Sequence, residues 1–304
     1  MANTVYDNFF LSNEIEDQYQ SHLDLQQFCT VDNNLTGVAG MVRKIHKYKA
    51  TDGTEKLTMG NGNTKTIEAG YTEKEYRIQM AQNRFQYYDE EAMTDPMVIT
   101  TGTRHAGTDM FNTVNADIFS AFNEATMTIV TTALGFDAFV DGAAMLNLEN
   151  LEGVTIFGFV NPADMAKLRK ALKDDLKYVE AYAKQGYVGT VGGINIYTKK
   201  NAETGKVVIA TKEAVTLFNK KGTEVEQERE GNIRCNTVYS RKYYLAAMTN
   251  EAKAVKIIVG SAKTTADETV QSKKVYYKPS GIGYVVGTPK TNPKTEGFYE
   301  ITAA

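Results

Sequence analysis

Tryptophan is absent from this chain, and cysteine, histidine and proline are scarce, at two, three and five residues in 304. Each scarcity removes a class of protein. Cys29 and Cys235 cannot supply the disulfide framework of a small secreted domain, and they form no CxxC pair, so two buried free thiols are expected. His22, His46 and His105 fall on an arm, a ribbon and a turn, and no two have metal-ligand spacing. No apolar run approaches the ~20 residues of a membrane-spanning helix, and the segment from Met1 to Tyr6 lacks the basic and apolar regions of a signal peptide. An excess of positive charge is missing too: the formal net charge is -3. That argues against a surface that grips nucleic acid throughout. Synthesis in cytosol is the expectation.

What remains is ordinary material for a folded core: 42% hydrophobic and 23% charged residues, with 18 tyrosines and 13 phenylalanines. The arrangement is less ordinary. Residues 36–91 read as two alternating arms around polar tips, Ala50-Thr51-Asp52-Gly53-Thr54 and Met59-Gly60-Asn61-Gly62-Asn63. The outgoing arm carries Val38, Met41, Val42, Ile45 and Tyr48, and the returning one carries Tyr76, Ile78 and Met80 on one face at period two. A two-stranded ribbon is marginal alone in water, so it must lie on its own body or on another copy.

Residues 1–35 read as an extended arm with a helical turn or two. From Asp109, apolar residues Phe111, Val114, Ile118, Phe122, Ala125 and Ile129 recur at three and four, predicting a long amphipathic helix. Thr131, Thr132 and Gly135 end it, and a second helix is expected over 136–148. The run Val154-Thr155-Ile156-Phe157-Gly158-Phe159-Val160 predicts a buried central strand. Asn161 then caps a helix with Pro162 at its first position, Asp164 in its first turn, and Met165, Leu168, Leu172, Leu176, Val179 and Ala183 on one face. Short strands are expected at 194–197 and 207–210, and a helical turn within 211–218. Glu224, Glu226, Glu228 and Glu230 mark an acidic-faced strand, followed by a long strand over 233–248 and another at 254–259. After Gly260 the composition turns to Lys, Thr, Ser and Gly, with short strands at 275–277, 284–286 and 298–301. Strands and helices mix without a βαβ rhythm, so the class is α+β.

No constellation for chemistry emerges. Gly60-Asn61-Gly62-Asn63-Thr64-Lys65 lacks the spacing of a phosphate loop and precedes strand, and 186–193 reads as a turn before Ile194. No serine sits in a GxSxG elbow. Glu90 and Glu91, like the 224–230 run, are solvated faces. No catalytic, cofactor-binding or metal-binding residue is assigned and no cofactor is expected; the expectation is a protein that is not an enzyme. Basic residues cluster at Arg43, Lys44, Lys47 and Lys49 on the ribbon, at Lys167, Arg169, Lys170 and Lys173 on the capped helix, and at Lys220-Lys221 and Lys273-Lys274. Those on the ribbon are expected to pair with acids of another subunit, such as the 224–230 strand.

This order of parts resembles the major capsid protein of tailed double-stranded DNA bacteriophages, the Hong Kong 97-like fold, over roughly residues 30–259. The carrying residues are the ribbon at 36–91, the long helix at 109–129, and Phe159-Val160-Asn161-Pro162-Ala163-Asp164 with Leu168-Arg169-Lys170. Gly193-Ile194-Asn195-Ile196-Tyr197, Ala214-Val215 and Tyr239-Ser240-Arg241-Lys242-Tyr243 add to them. The resemblance implies an N-terminal arm at 1–35, then an extended E-loop and return strands of a peripheral domain at 36–91. A spine helix and more of the peripheral domain would fill 92–150, and a mainly axial domain 151–232. Closing strands of the peripheral domain would take 233–259, and a C-terminal β extension 260–304. It further implies a homo-oligomer of hexamers and pentamers in a closed icosahedral or prolate head that encloses double-stranded DNA without sequence-specific binding. Portal and separate scaffolding proteins, and decoration proteins, would be its partners, with no membrane involved. The protein would reside in the virion after synthesis in bacterial host cytoplasm. No long acidic helical leader precedes the arm, so a fused scaffolding segment is not expected. Some members crosslink an E-loop lysine to a neighbour's asparagine; Lys56 and Lys65 sit on the loop, but no partner can be named and no crosslink is expected. An encapsulin-like shell enclosing cargo enzymes is the alternative. A tail-tube subunit fits the long helix and the capped strand-helix unit poorly.

Overall fold

The chain begins its described course with a 3-10 turn at Leu25–Phe28, where the Asp24 carboxylate accepts from the Gln26 N–H at 3.0 Å. The computed structural model describes residues 23–36, 40–148, 154–172, 189–265, 276–280, 283–287, 292–293 and 295–303. Strand β1 (Thr30–Asp32) is followed by a ribbon of β2 (Val42–Ala50) and β3 (Ala69–Arg77), paired antiparallel from Val42–Arg77 to Ala50–Ala69. Next come β4 (Gln79–Tyr88), α1 (Asp89–Thr94), α2 (Met97–Asn123), β5 (Met127–Thr131) and α3 (Phe136–Met145). Then follow β6 (Ile156–Val160), α4 (Pro162–Ala171), β7 (Thr190–Val191), β8 (Ile194–Thr198) and β9 (Lys206–Thr211). The chain continues through β10 (Val215–Glu230), β11 (Cys235–Met248), β12 (Ala254–Thr265), β13 (Tyr276–Ser280), β14 (Gly283–Val286) and β15 (Tyr299–Ala303).

Two sheets share the body. A four-stranded sheet has the order β1-β10-β11-β4, and a nine-stranded sheet runs β15-β13-β14-β5-β12-β9-β6-β8-β7. Because β15 also pairs with β12, the strands β12, β5, β14, β13 and β15 close into a ring. The segment after Gly260 is thereby hydrogen-bonded into the sheet, with Tyr284 opposite Val130 and Val285 opposite Ile129.

The apolar run at 156–160 is buried at every position because both faces of β6 are covered. Phe157 and Phe159 point into a core with Leu25, Val114, Ile118, Phe122 and Leu217, while Ile156 and Val160 join Phe139, Leu168, Ile194 and Ile257 on the other side. β9 divides the same way, with Val208 and Ala210 on one side and Val207 and Ile209 on the other. α2 covers the first face; α3 and α4 cover the second. Asn115, 0% exposed in the middle of α2, ties the N-terminal segment down: its Oδ1 accepts from Leu25 N–H at 3.1 Å and its Nδ2 donates to the Leu23 carbonyl at 3.0 Å.

The capped helix forms as its residues dictate. Asn161 accepts from the Ala163 N–H at 2.9 Å and Pro162 opens α4. Asp164, 1% exposed, accepts from the Gly205 N–H at 2.5 Å and pairs with Lys167 at 3.1 Å, which ties the β8–β9 connection to the helix. Leu176, Val179 and Ala183, expected to extend the stripe, lie outside the described residues. Leu172 is 6% exposed in the second core. Leu172→Ala is expected to cost about 2–5 kcal/mol, measured by chemical denaturation. A loss below ~1 kcal/mol would mean that the site collapses around the gap.

Two expectations are corrected. The helix predicted over 109–129 runs from Met97 to Asn123. Its first half carries Thr100, Thr101, Gly102 and Thr103 in place of an apolar stripe, so periodicity missed it. Gly102 is needed there, because a Cβ would come within 2.1 Å of the Phe85 ring on β4. At the other end, Ala125 and Ile129 fit the helical spacing only by coincidence: Ile129 belongs to β5, whose Thr128, Ile129 and Val130 are buried between β12 and β14. The segment 211–218, expected to hold a helical turn, makes a tight turn with Ala214 N–H on the Thr211 carbonyl (3.1 Å) and then enters β10. Val215, Leu217 and the β-branched Thr216 suit a pleated surface. β10 and β11 pair from Val215–Met248 to Glu230–Cys235 as one hairpin.

Candidate assembly surfaces

The ribbon is anchored at its base. Ile78, 4% exposed, packs with Phe218, Leu245 and Ala247, and Ile45 and Tyr76 lean on this cluster. The Tyr76 hydroxyl donates to the Met248 carbonyl at 2.9 Å, and the Ile78 N–H donates to the Met41 carbonyl at 2.8 Å. Arg43 lies over the Phe218 ring at 5.6 Å, and Lys74 stands 3.9 Å from Glu124. Beyond these contacts β2 and β3 pair with no other strand among the described residues.

The tip is built, with its apolar groups facing outward. Thr51 N–H donates to the Glu68 carbonyl at 3.0 Å, and the Glu55 carboxylate accepts from Thr64 N–H at 2.9 Å and Thr64 Oγ1 at 2.8 Å. These bonds hold the Glu55 carboxyl below its usual range. Gly60 turns the chain at φ +91°. Met59 is fully exposed, Ile67 is 61% exposed, and Leu57 is exposed as well. Apolar side chains on a projecting element with nothing over them mark a contact surface.

The second surface is the face of the four-stranded sheet turned away from α2. On the α2 side, Tyr244 donates its hydroxyl to Asp117 at 2.5 Å, and Phe85 meets Gly102. Across the sheet, Phe218, Lys221, Glu224, Glu226, Glu228 and Glu230 of β10 share the opposite face with their β11 partners Leu245, Tyr243, Arg241, Tyr239, Thr237 and Cys235. Two of the glutamates are matched in place: Glu224 with Lys221 at 2.9 Å and Glu226 with Arg241 at 2.5 Å. At the far end, Asp89 accepts from Arg229 and Asn236, each at 2.7 Å, which keeps its carboxyl below the ordinary range and clamps the β10–β11 hairpin to the end of β4. On the ribbon, Lys44 sits 2.5 Å from Glu73 and 2.7 Å from Glu75, so part of the basic cluster expected to await another subunit is satisfied within the ribbon.

Residues with chemical potential are structural where they are described. Cys29 and Cys235 are buried and free, and burial pushes the Cys29 thiol up to about 11. Gly192 and Gly193, at φ +57° and +82°, make the two-residue turn between β7 and β8. His105 lies within α2, and His22 falls outside the described residues. Among the described residues no group of three or more His, Cys, Asp and Glu could hold a metal, and no helix is long and apolar enough to cross a membrane. An open groove of about 650 Å³ lies between β1 and the ribbon base, lined in part by Val31, Asp32, Arg43 and Phe218.

Known proteins share this architecture. The mature capsid of bacteriophage PhiM1 superimposes with a TM-score of 0.62 at 10% identity, covering 85% of this chain and 90% of that one. The holo-SrpI encapsulin complex of Synechococcus elongatus PCC 7942 gives 0.56 at 10% identity, over 77% and 86%. The fold is the Hong Kong 97-like fold of phage heads and related shells. In sequence, the chain is 27% identical over 264 residues to the major capsid protein of Staphylococcus phage phiMR11, spanning 80% of this chain and 90% of that protein. No family model matches the chain.

Proposed function

We propose that this chain is a major capsid protein that self-assembles through hexamers and pentamers into a closed phage head around double-stranded DNA. One observation carries the reading: a hydrogen-bonded ribbon, anchored at Tyr76 and Ile78, projects with Leu57, Met59 and Ile67 exposed. Such an element gains its burial from another copy. The shared fold and the 27% identity to a phage major capsid protein across 90% of its length support the same reading. Its role is structural, not catalytic.

In this reading residues 36–77 form the E-loop, α2 is the spine helix, and residues 1–35 form an N-terminal arm. Sheet membership supports grouping β1, β4, β10 and β11 as the peripheral domain. The nine-stranded sheet with α3 and α4 is then the axial domain, and the strands after Gly260 form part of it. Obligate interfaces of ~2,000–5,000 Å² repeated around a closed lattice supply the stability of the head. A net charge of -3 suits a wall that encloses DNA without holding it. Portal and scaffolding proteins complete the assembly. The protein is made in bacterial host cytoplasm and resides in the virion.

The encapsulin likeness gives a second reading, a shell around cargo enzymes, because the fold is common to both. The test is negative-stain microscopy with sedimentation of the purified chain, followed by analysis of what particles from infected or expressing cells contain. Closed shells, capsomers or sheets are expected, with DNA inside heads. A monomer in every buffer at high concentration would overturn the assembly reading, and shells loaded with one enzyme would decide for the compartment.

A further inference from the structure

We propose that Asn61-Gly62, at the apex of the ribbon, is a site of spontaneous backbone chemistry in which Asn61 becomes aspartate or isoaspartate. On the reading of this chain as a capsid protein, the change retires subunits that stay unassembled. The chain holds one Asn-Gly dipeptide, and the fold presents it bare. Residues 56–62 are all exposed. They lie beyond a tied stem, where Asn63 Nδ2 donates to the Gly53 carbonyl at 3.3 Å and Thr64 N–H donates to Glu55 at 2.9 Å. Asn61 stands at the end of a turn: its N–H donates to the Thr58 carbonyl at 3.1 Å and its Nδ2 to Thr58 Oγ1 at 2.9 Å. Among the described residues no hydrogen bond holds the Gly62 N–H.

The Gly62 nitrogen attacks Asn61 Cγ. The new N–Cγ bond closes a succinimide ring as the Cγ–Nδ2 bond breaks, and the amide proton leaves with the ammonia. Water then opens the ring. Cleavage at Cγ gives aspartate, and cleavage at the main-chain carbonyl gives isoaspartate, whose backbone runs through the side chain. Glycine favours closure because no side chain crowds the attacking nitrogen or restricts the torsions that bring it to Cγ. Asp52-Gly53 and Asp141-Gly142 could form the same ring, but packing fixes both glycines. A Cβ would come within 2.4 Å of Ile67 at Gly53 and 2.5 Å of Ile209 at Gly142, whereas at Gly62 it meets nothing within 4 Å. Either product puts a carboxylate on the loop that exposes Leu57 and Met59. Burying that charge unpaired against another copy is unfavourable.

The test ages the purified full chain unassembled and follows the peptide carrying Asn61 by mass spectrometry, with a chemical assay for isoaspartate. Succinimide and then the two acids are expected to accumulate at Asn61 faster than at any other asparagine. Gly62→Ala adds a Cβ that meets no neighbour, at a φ outside the left-handed region, so it should fold as the parent does. It should convert at least about tenfold more slowly. When the aged parent is assembled, converted chains should be at least about threefold enriched in the unassembled fraction over the shells, while equally aged Gly62→Ala keeps its yield. An intact Asn61 after prolonged incubation, or Gly62→Ala converting at the parental rate, would overturn the site. Converted chains entering shells as readily as fresh ones would overturn its effect on assembly. A fresh parent that forms no shells would overturn the capsid reading, and the mass spectra would still decide the chemistry at Asn61.

Discussion

A chain in which residues 52–67 are replaced by an Asn-Gly turn is expected to fold normally and to fail at shell closure. Thr51 and Glu68 flank the excised loop as a hydrogen-bonded pair, Thr51 N–H on the Glu68 carbonyl at 3.0 Å, so two residues in a primed turn close the hairpin at its natural register. The excised part holds Leu57, Met59 and Ile67, exposed at 51%, 105% and 61%. Removing them takes no described apolar core from the monomer, so its stability should stay within about 0.5 kcal/mol of the parent. Lattice assembly, by contrast, loses the same contact at every subunit. Sedimentation should then find capsomers or monomers in place of shells, and hydrogen exchange of the shortened chain should match the parental body at α2, β6 and β9. Shells of normal yield and diameter would remove the tip from the assembly interface. Loss of the monomer's thermal transition would show instead that the tip supports its own body.

The difference between core and ribbon explains what could be read from the amino acids. β6 and α4 were readable because cap, proline and apolar spacing agree: Asn161, Pro162, Met165 and Leu168 all serve one local structure. The ribbon was readable for the opposite reason, since its alternating arms could not close a core by themselves. α2 was only half visible. Its Thr- and Gly-rich start is helical because Gly102 lets Phe85 of β4 pack against it, a tertiary requirement with no local signal. β5 was hidden because Ala125 and Ile129 continue a helical period into a strand buried by partners more than 120 residues later, β12 and β14. The acidic face of β10 could be seen as a row of glutamates. Which of them have partners depends on Arg241 across the sheet and Lys221 beyond a bulge, so spacing alone could not single out Glu224 and Glu226.

The largest stability loss from one side chain is expected at Phe159. It is 0% exposed, and its ring lies 5.4 Å from Phe28, 6.0 Å from Phe119, 5.5 Å from Phe122 and 5.4 Å from Phe157, measured between centroids. Those rings come from the N-terminal 3-10 turn, the long helix and the central strand, so one aromatic cluster joins α2 to the nine-stranded sheet. Phe159→Ala removes a large buried ring whose neighbours are tied to three separate elements and cannot all close the gap. A cost of about 3–5 kcal/mol is expected, against a total of about 5–15 kcal/mol for a typical domain. Phe159→Leu, which keeps most of the volume, should cost less than half as much. Because the cluster contains no residue of the ribbon, Phe159→Leu chains should still assemble, whereas Phe159→Ala chains should lose shells in proportion to the unfolded fraction. Denaturant titration of both variants checks the first part, and shell yield against fraction folded checks the second. Equal, small costs for the two variants would mean that the helix and the sheet are held together elsewhere, and the aromatic cluster would lose its role as the joint.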